Sequence, residues 1–375
     1  MKRDPRMKIC VVGLRGVPGV MGGIESHCEQ IFPRLVEMAA NYDLTIVGRR
    51  PYLAGGANAY RGLTVVPLPA ARHKYFEAIT NTALGILYAR FATEADLVHI
   101  HGIGPALLSP LARLLGMRVV VTHHGQDFER AKWNRVAKMA LRLGEHIALR
   151  AADRIIVVSR SVAAELQRKN PGRQSKISYI PNGTTELDLP DQNGAARQVL
   201  SELGLEPRNY LLAVGRLVPE KGFHFLIDAY RKAGLACKLV IVGKADHDDA
   251  YSQRLLEQAD DRIIFAGFQS QAVLRELYTH AALFVLPSTH EGLPIAALEA
   301  ASLNAPILLS DIRPNLDIGL ASDNYFASAN VDALVAKLKG DYGLFRVDAD
   351  DLRRRFNWNV ITAETRQIYA ELMAA

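Results

Sequence analysis

The sequence predicts an α/β fold made of two doubly wound, mostly parallel sheets, each a Rossmann-like domain. Three observations predict it. Short charge-free runs of branched and aromatic residues recur, such as Val119-Val120-Val121 and Leu283-Phe284-Val285-Leu286, which is how strands buried on both faces read. Segments with helical apolar spacing separate these runs, and such alternation builds a parallel sheet through crossovers. The alternation pauses at the polar stretch 188–194 and then restarts, and 375 residues suit two domains.

Taken in order, strands are expected at 8–12, 44–47, 63–66, 97–100, 118–122 and 154–158. Helices fit at 23–39, 77–91 and 105–115. A long helix is expected over 129–150, with Trp133, Val136, Ala137, Ala140, Leu143 and Ile147 on an inward face and Arg135, Lys138 and Arg142 on an outward one. After the polar stretch, strands are expected at 210–214, 238–242, 262–266, 283–286 and 307–310, and a last helix at 360–373. The domains so defined are 1–186 and 187–355, followed by a C-terminal helical segment, 356–375.

Composition narrows the function classes. Hydrophobic residues make up 49% and charged residues 22%, which excludes a disordered chain. Cys10, Cys28 and Cys237 have neither metal-ligand spacing nor a disulfide framework, so a reducing, cytoplasmic setting is expected. The apolar run after the basic start, 9–12, is too short for a signal peptide, and no run reaches bilayer length. The formal charge of +6 points to an anionic partner. Zinc spacing, RNP-like aromatic runs and Lys/Arg tracts are all missing, so nucleic acid is not expected. A phosphate-bearing ligand and an anionic membrane surface remain, the latter met by the Arg135, Lys138 and Arg142 stripe.

The segment Glu291-Gly292-Leu293-Pro294-Ile295-Ala296-Ala297-Leu298-Glu299 carries the most information. It follows the apolar strand at 283–286, breaks at Gly292 and Pro294, and opens an apolar helix. Ligands of open α/β sheets bind at such carboxyl-end turns, and a helix N-terminus there suits phosphate. A carboxylate in the loop and a second one in the helix add acceptors for hydroxyls. A nucleotide-sugar has both chemistries.

Three more segments follow strands. Gly215-Arg216-Leu217-Val218-Pro219-Glu220-Lys221-Gly222 offers a guanidinium and an ammonium to a diphosphate, without P-loop spacing. The first turn, residues 13–25, holds Arg15 and the pair Gly22-Gly23, which lets backbone approach a phosphate. Thr122-His123-His124-Gly125-Gln126-Asp127 places two histidines on opposite sides of an extended chain, which disfavours a shared metal. Asp246-His247-Asp248-Asp249 mimics a metal-binding D-x-D but reads as helix caps and dipole partners, so no metal is expected. Pro181-Asn182-Gly183 reads as a plain turn.

These motifs together resemble the retaining glycosyltransferases of family 4. The matching residues are Pro287-Ser288, Glu291-Gly292, Glu299-Ala300 and Ala305-Pro306, with H-G-x-D at His124, Gly125 and Asp127 and G-R-x-x-x-x-K-G at 215–222. Asn304 stands where the family has Gly, and Asn tolerates a left-handed helix end. The resemblance implies the GT-B fold, two Rossmann-like domains facing a central cleft, with the C-terminal helix crossing back to the first. It implies catalytic roles for His124, Glu291, Arg216 and Lys221. Donor binding falls to Gly22, Gly23, Gly215, Gly267, Phe268, Gly292, Leu293, Pro294 and Glu299. Arg15 and Asp127 are acceptor candidates. The donor would be a nucleoside-diphosphate sugar, the acceptor a glycan or lipid-linked saccharide, and no cofactor or metal is implied. The opening Gly-Leu-Arg-Gly-Val-Pro with Gly-Gly-Ile-Glu is similar to a bacterial subgroup labelled rhamnosyl- or galactosyltransferases of polysaccharide assembly. A GT-B sugar-nucleotide epimerase or isomerase and a non-catalytic nucleotide-sugar sensor are the alternatives.

Overall fold

A computed structural model describes residues 6–39, 41–53, 58–73, 76–130, 133–184, 195–245 and 249–374. The chain divides into two compact units, Met1–Asn182 with Trp358–Ala375, and Gly183–Asn357.

The first unit contains β1 (Met7–Val12), α1 (Gly23–Met38), β2 (Tyr42–Arg49), β3 (Asn58–Tyr60), β4 (Leu63–Leu68), α2 (Glu77–Phe91), β5 (Leu97–His101), α3 (Ser109–Leu114), β6 (Arg118–His123), α4 (Arg135–Ala151), β7 (Arg154–Val157), α5 (Arg160–Lys169) and β8 (Ile177–Tyr179). The strand order is β3-β4-β2-β1-β5-β6-β7-β8. Among the described strands only β3 pairs antiparallel. The chain winds from β1 to β2 and β4, then returns to pair β5 against the other side of β1. The switch point therefore lies between β1 and β5, and ligands of such sheets bind outside the carboxyl ends there.

The apolar strands form the core. Cys10, Val12, Val98, Ile100, Val119 and Val121 pack with Ile86 and Ala89 of α2 and with Ala148 and Leu149 of α4. The C-terminal helix (Trp358–Ala374) belongs to this unit, and its buried Tyr369 hydroxyl lies 2.5 Å from Nδ1 of His99 on β5.

The second unit contains α6 (Ala195–Glu202), β9 (Tyr210–Val214), α7 (Phe223–Ala233), β10 (Lys238–Val242), α8 (Ala250–Leu256), β11 (Ile263–Gly267), α9 (Gln271–His280), β12 (Leu283–Leu286), α10 (Ile295–Ser302), β13 (Ile307–Ser310), α11 (Arg313–Leu316), β14 (Tyr325–Phe326), α12 (Val331–Leu338) and α13 (Ala349–Arg355). Its parallel sheet has the order β11-β10-β9-β12-β13-β14. Here the winding reverses between β9 and β12.

Local chemistry explains where the elements differ from the sequence reading. The helix expected at 105–115 is a 3₁₀ turn, Pro105–Leu108, followed by α3, with a proline near the start of each. The helix expected at 129–150 starts at Arg135, where the Asn134 side chain caps it by accepting the Ala137 N–H at 2.9 Å. Its orientation also corrects the expectation. Val136, Met139 and Leu143 are 69%, 66% and 50% exposed, whereas Gly144, Ala148 and Leu149 are buried. Gly144 lets the helix lie against the backbone after β5, where a Cβ would fall 2.0 Å from the Ile103 carbonyl oxygen, and Val136, Met139 and Leu143 face outward. β3, β8 and β14 are too short for a periodic signal, and the sequence reading missed them.

Candidate active site

In the second unit the switch point brings two loops together. The loop after β9 runs through Arg216 into a 3₁₀ turn, Pro219–Lys221. The loop after β12 runs from Pro287 to Pro294, the N-cap of α10. Backbone chemistry laces them: the Thr289 N–H donates to the Glu220 carbonyl at 2.9 Å, and the Thr289 hydroxyl reaches the same oxygen at 3.4 Å. Gly222 closes the turn at φ 68, and a Cβ there would fall 2.1 Å from the Pro287 carbonyl. Only glycine permits both the left-handed turn and this approach.

This lacing sets the central contact. The Lys221 ammonium donates to Oε1 of Glu291 at 2.6 Å, and the Ser288 hydroxyl donates to the same oxygen at 2.6 Å. The side chains are 17% and 10% exposed. Burial alone pushes the Glu291 carboxyl up; the Lys221 charge and the hydrogen bonds from Lys221 and Ser288 outweigh it and hold the group below the usual carboxylate range. Glu291 is thus a fixed anion with one oxygen committed. Glu299 lies in α10, is buried, and accepts a hydrogen bond from the Tyr278 hydroxyl of α9 at 3.2 Å. Leu293 is buried and Pro294 has no N–H, so the first-turn donors of α10 that precede any intrahelical acceptor are Ile295 and Ala296.

The other expected donor-site residues of this unit are spread over neighbouring strand ends. Gly215 directly follows β9, its N–H donating to the Val242 carbonyl at 2.9 Å. Arg216 follows, and Val218 N–H turns back to its carbonyl at 2.8 Å. Gly267 closes β11 at φ 68. Phe268 is 46% exposed, and the Lys244 ammonium lies 5.8 Å from its ring centroid. Lys244 was not singled out from the sequence; its signal was a lone cation directly after Gly243 at the end of β10. Asn304 takes φ 62 after α10, the left-handed position expected of it. Asp249 caps α8 through Tyr251 and Ser252 N–H groups, while Asp246 and Asp248 lie outside the described residues.

In the first unit the glycine loop follows β1, His101 ends β5 and His124 follows β6, around that sheet's own switch point. Glu25 of α1 is buried and accepts the Arg15 N–H at 3.0 Å. The Arg15 guanidinium donates to the Met21 carbonyl at 3.2 Å and lies 5.4 Å from the Tyr52 ring centroid. Gly22 caps α1, and a Cβ on it would strike the Glu25 carboxylate at 2.1 Å; Gly23 opens the helix. Asp127 pairs with Arg130 at 2.8 Å. His123 turns to Glu145 of α4 at 2.9 Å. His124, its neighbour, points the other way, and its Nε2 lies 2.9 Å from Nδ1 of His101.

His124 therefore sits in a histidine cluster that single-sequence reading did not assemble. His27 of α1 packs edge-on against it with centroids 4.8 Å apart, and donates from Nδ1 to the Asn182 side-chain oxygen at 2.9 Å. Asn182 is buried, so the turn at 181–183 is more than a turn. Burial drives the His27 pKa down to about 4 and that of His99 to about 3, and pushes His101 and His124 well below the ordinary value. The sequence signal was His99 and His101 alternating in an otherwise apolar strand.

The donor atoms of His27, His101 and His124 lie within 4.8 Å of one another. Tetrahedral zinc with bonds of about 2.0–2.1 Å sets its ligands roughly 3.4 Å apart. The trio could hold such an ion only by closing in and giving up the His101–His124 hydrogen bond.

Comparison with known proteins covers both units. A family model described as Glycosyltransferase Family 4 matches residues 21–185, and one described as Glycosyl transferases group 1 matches residues 200–340. An uncharacterized glycosyltransferase of Methanocaldococcus jannaschii is 25% identical over 97% of this chain and 98% of its own. A UDP-Gal:alpha-D-GlcNAc-diphosphoundecaprenol alpha-1,3-galactosyltransferase of Escherichia coli is 30% identical over 59% of each chain. The solved sucrose-phosphate synthase from Thermosynechococcus elongatus superposes with a TM-score of 0.81 at 21% identity, covering 98% of this chain and 100% of that one, a likeness of fold.

Proposed function

The chain belongs to the family 4 glycosyltransferases and has the GT-B fold, and from that premise we propose a retaining, metal-independent hexosyltransferase. It moves a sugar from a nucleoside-diphosphate sugar to a hydroxyl of a glycan or lipid-linked saccharide, in the assembly of a bacterial surface polysaccharide. The observation that carries this reading is the Lys221–Glu291 pair, fixed at the switch point of the second sheet beside the start of α10. The name of the Escherichia coli relative, with its UDP-Gal donor and diphosphoundecaprenol-linked acceptor, supports the substrate classes.

In this reading the domain 187–355 binds the donor and the domain 1–186 the acceptor. Arg216, Lys221 and the first-turn N–H groups of α10 stabilise the departing diphosphate. Such fixed charges and dipoles act where negative charge develops and need no reorganisation. Glu291 holds sugar hydroxyls with its uncommitted oxygen, Glu299 holds the ribose, and His124 contacts the sugar from the first domain. Gly22 and Gly23 admit the diphosphate, while Arg15 and Asp127 serve the acceptor. The backbone around Gly267 and Phe268 meets the base. The acceptor hydroxyl attacks from the face the leaving group vacates, so the anomeric configuration is kept.

The test is a donor screen. Thermal shift and hydrolysis across common nucleoside-diphosphate sugars identify the donor, and NMR of the product reads the anomer. An inverted product removes the retaining mechanism. Nucleotide release that depends on an added saccharide acceptor supports transfer. Sugar interconversion without acceptor establishes the epimerase alternative, and binding without turnover establishes the sensor.

We also propose cytoplasmic residence with peripheral attachment to an anionic membrane face through α4. Its exposed surface combines Val136, Met139 and Leu143 with Arg135 and Arg142, and its only carboxylate, Glu145, is turned to His123. A helix with apolar and basic residues on its exposed side suits a lipid interface. Among the described residues no helix is long and apolar enough to cross a membrane.

A further inference from the structure

The hydrogen bond between His101 and His124 has a direction, and the direction decides what His124 offers to a ligand. Nδ1 of His101 lies 2.9 Å from Nε2 of His124, and the two rings stack at 5.2 Å and 27°. Both imidazoles are neutral, because burial, reinforced by the neighbouring imidazoles, disfavours the charged form of each. Each ring therefore carries one N–H, and one proton lies between them.

Two arrangements satisfy this. In the first, His101 donates from Nδ1 to Nε2 of His124. His101 Nε2 is then a lone pair, and the proton of His124 sits on Nδ1. In the second, His124 donates from Nε2, and His101 must carry its own proton on Nε2. That atom is buried and has no hydrogen-bond partner among the described residues. A buried N–H without an acceptor is rarer and more costly than an unused acceptor. The Cys28 sulfur, 3.6 Å from His101 Nδ1, does not favour the second arrangement, because there the one lone pair of Nδ1 is already taken by the His124 N–H. In the first arrangement the sulfur, a weak acceptor, lies beside the Nδ1–H that His101 gives to His124.

The other neighbours do not reverse the choice. His99 is occupied on both sides, by the Tyr369 hydroxyl at 2.5 Å and the Thr122 hydroxyl at 2.7 Å. His27 spends its Nδ1 on Asn182 and meets His124 edge to face. Nδ1 of His124 makes no hydrogen bond within the described residues, and the side chain is only partly buried.

We propose that His101 is a positioning residue that fixes His124 as the Nδ1–H tautomer, so that His124 meets its ligand as a hydrogen-bond donor. Resting on the reading that His124 touches the donor sugar, this names the group it recognises: an oxygen lone pair of a sugar hydroxyl, not a hydroxyl proton. Free imidazole in water prefers the other tautomer, so the enclosing cluster must impose this one.

The experiment has one arm that does not use activity. Long-range ¹H–¹⁵N correlation on histidine-labelled protein without ligand, with His124→Gln to assign the ring, reads the tautomer directly. The expected pattern is Nδ1–H for His124; an Nε2–H pattern overturns the proposal. The second arm compares His101→Asn with His101→Leu. The Asn amide can place an N–H where Nδ1 was, and Leu cannot. Both variants must first show wild-type thermal unfolding and nucleoside-diphosphate affinity; if the Leu variant fails this, the wild-type and Asn spectra carry the test. Expected is an Asn variant that keeps the tautomer and stays within about threefold of wild-type turnover, and a Leu variant that loses the tautomer and falls tenfold or more. Equal losses with an unchanged tautomer would reduce His101 to packing. Wild-type activity in His124→Gln, with Nδ1–H confirmed, would remove the sugar contact and leave the tautomer assignment standing.

Discussion

Replacing Lys221 with Met tests the site through its electrostatics before any substrate is known. The substitution keeps the length of the stem and removes the charge, leaving Glu291 with the Ser288 hydroxyl as its recorded hydrogen-bond partner. The loss has a floor and a ceiling. One charged hydrogen bond in a largely buried place contributes about 1.5–3 kcal/mol. The ceiling follows because the stranded carboxyl can always take a proton. From its ordinary value of 4.5, protonation at pH 7.5 costs about 1.4 kcal/mol for each of roughly three units, ~4 kcal/mol in all. Lys221→Met should therefore lower the stability of the second unit by ~1.5–4 kcal/mol at pH 7.5. The sign of the pH dependence is fixed as well. In the native protein the Glu291 pKa is lowered, so its stabilising contribution is present above the unfolded value and fades as pH falls toward the folded one. In the variant, burial, the largest influence, is opposed only by the Ser288 hydrogen bond and His290, so the pKa rises and the deficit is largest at high pH and shrinks as the solution is acidified toward 4.5. Urea unfolding at pH 7.5 and pH 5, with and without Glu291→Gln, measures this. The double variant should recover most of the lost stability, because no buried charge remains, yet stay inactive. A deficit that is equal at both pH values, or that Glu291→Gln fails to relieve, would refute the reasoning.

Four further outcomes are expected. Arg216→Ala should cut turnover roughly 10- to 150-fold, the equivalent of one charged hydrogen bond to phosphate, with unchanged thermal unfolding; near-normal turnover would remove Arg216 from diphosphate binding. Activity should survive excess EDTA, since cations and a helix terminus serve as the clamp; a loss that manganese restores would return attention to Asp246 and Asp248. Gly222→Ala should lower stability by ~2–3 kcal/mol, from the left-handed turn and the close Pro287 carbonyl together, and unchanged denaturation would show that the two loops are not pressed together. Vesicle flotation should show anionic-lipid binding that Arg135→Glu/Lys138→Glu/Arg142→Glu abolishes and Val136→Ser/Met139→Ser/Leu143→Ser weakens even at high salt; wild-type indifference to anionic vesicles at low salt would end the membrane reading.

The second sheet and the loops of its candidate site were legible because their signals are local. A strand of branched residues, a glycine-broken turn and a helix start lie within one window of sequence, as in 283–302. The cations and Glu291 stand in the turns themselves and Glu299 in the helix that follows, so their chemistry can be read without knowing the packing. What the window could not supply is the pairing. Lys221 and Glu291 are separated by 70 positions, and their contact depends on β9 and β12 being neighbours. That adjacency comes from the winding reversal, which no residue of either loop announces. The commitment of one Glu291 oxygen to Lys221 and Ser288 was therefore invisible, although each residue had been singled out.

The first unit was harder for a physical reason. Its expected residue, His124, is held by groups from β5, α1 and the turn at 182, each of which looks structural in its own sequence context. A histidine in a strand reads as an interruption of the core, and Asn182 reads as a turn former. Only the sheet order places His101 beside His124. The error on α4 is the converse case. Periodicity assigned its larger apolar residues inward, because hydrophobicity was the only criterion available. The fold chose the face that packs closest, and Gly144 and Ala148 fit against the core where Leu143 does not. A helix that packs through a small residue such as Gly144 can leave larger ones outside, so a hydrophobic count alone gives the wrong face. For α4 that reversal matters to function, since it sets Val136, Met139 and Leu143 on the exposed side with Arg135 and Arg142. The apolar stripe and the cations can then meet one surface together, whereas the sequence reading had given that surface the charges alone.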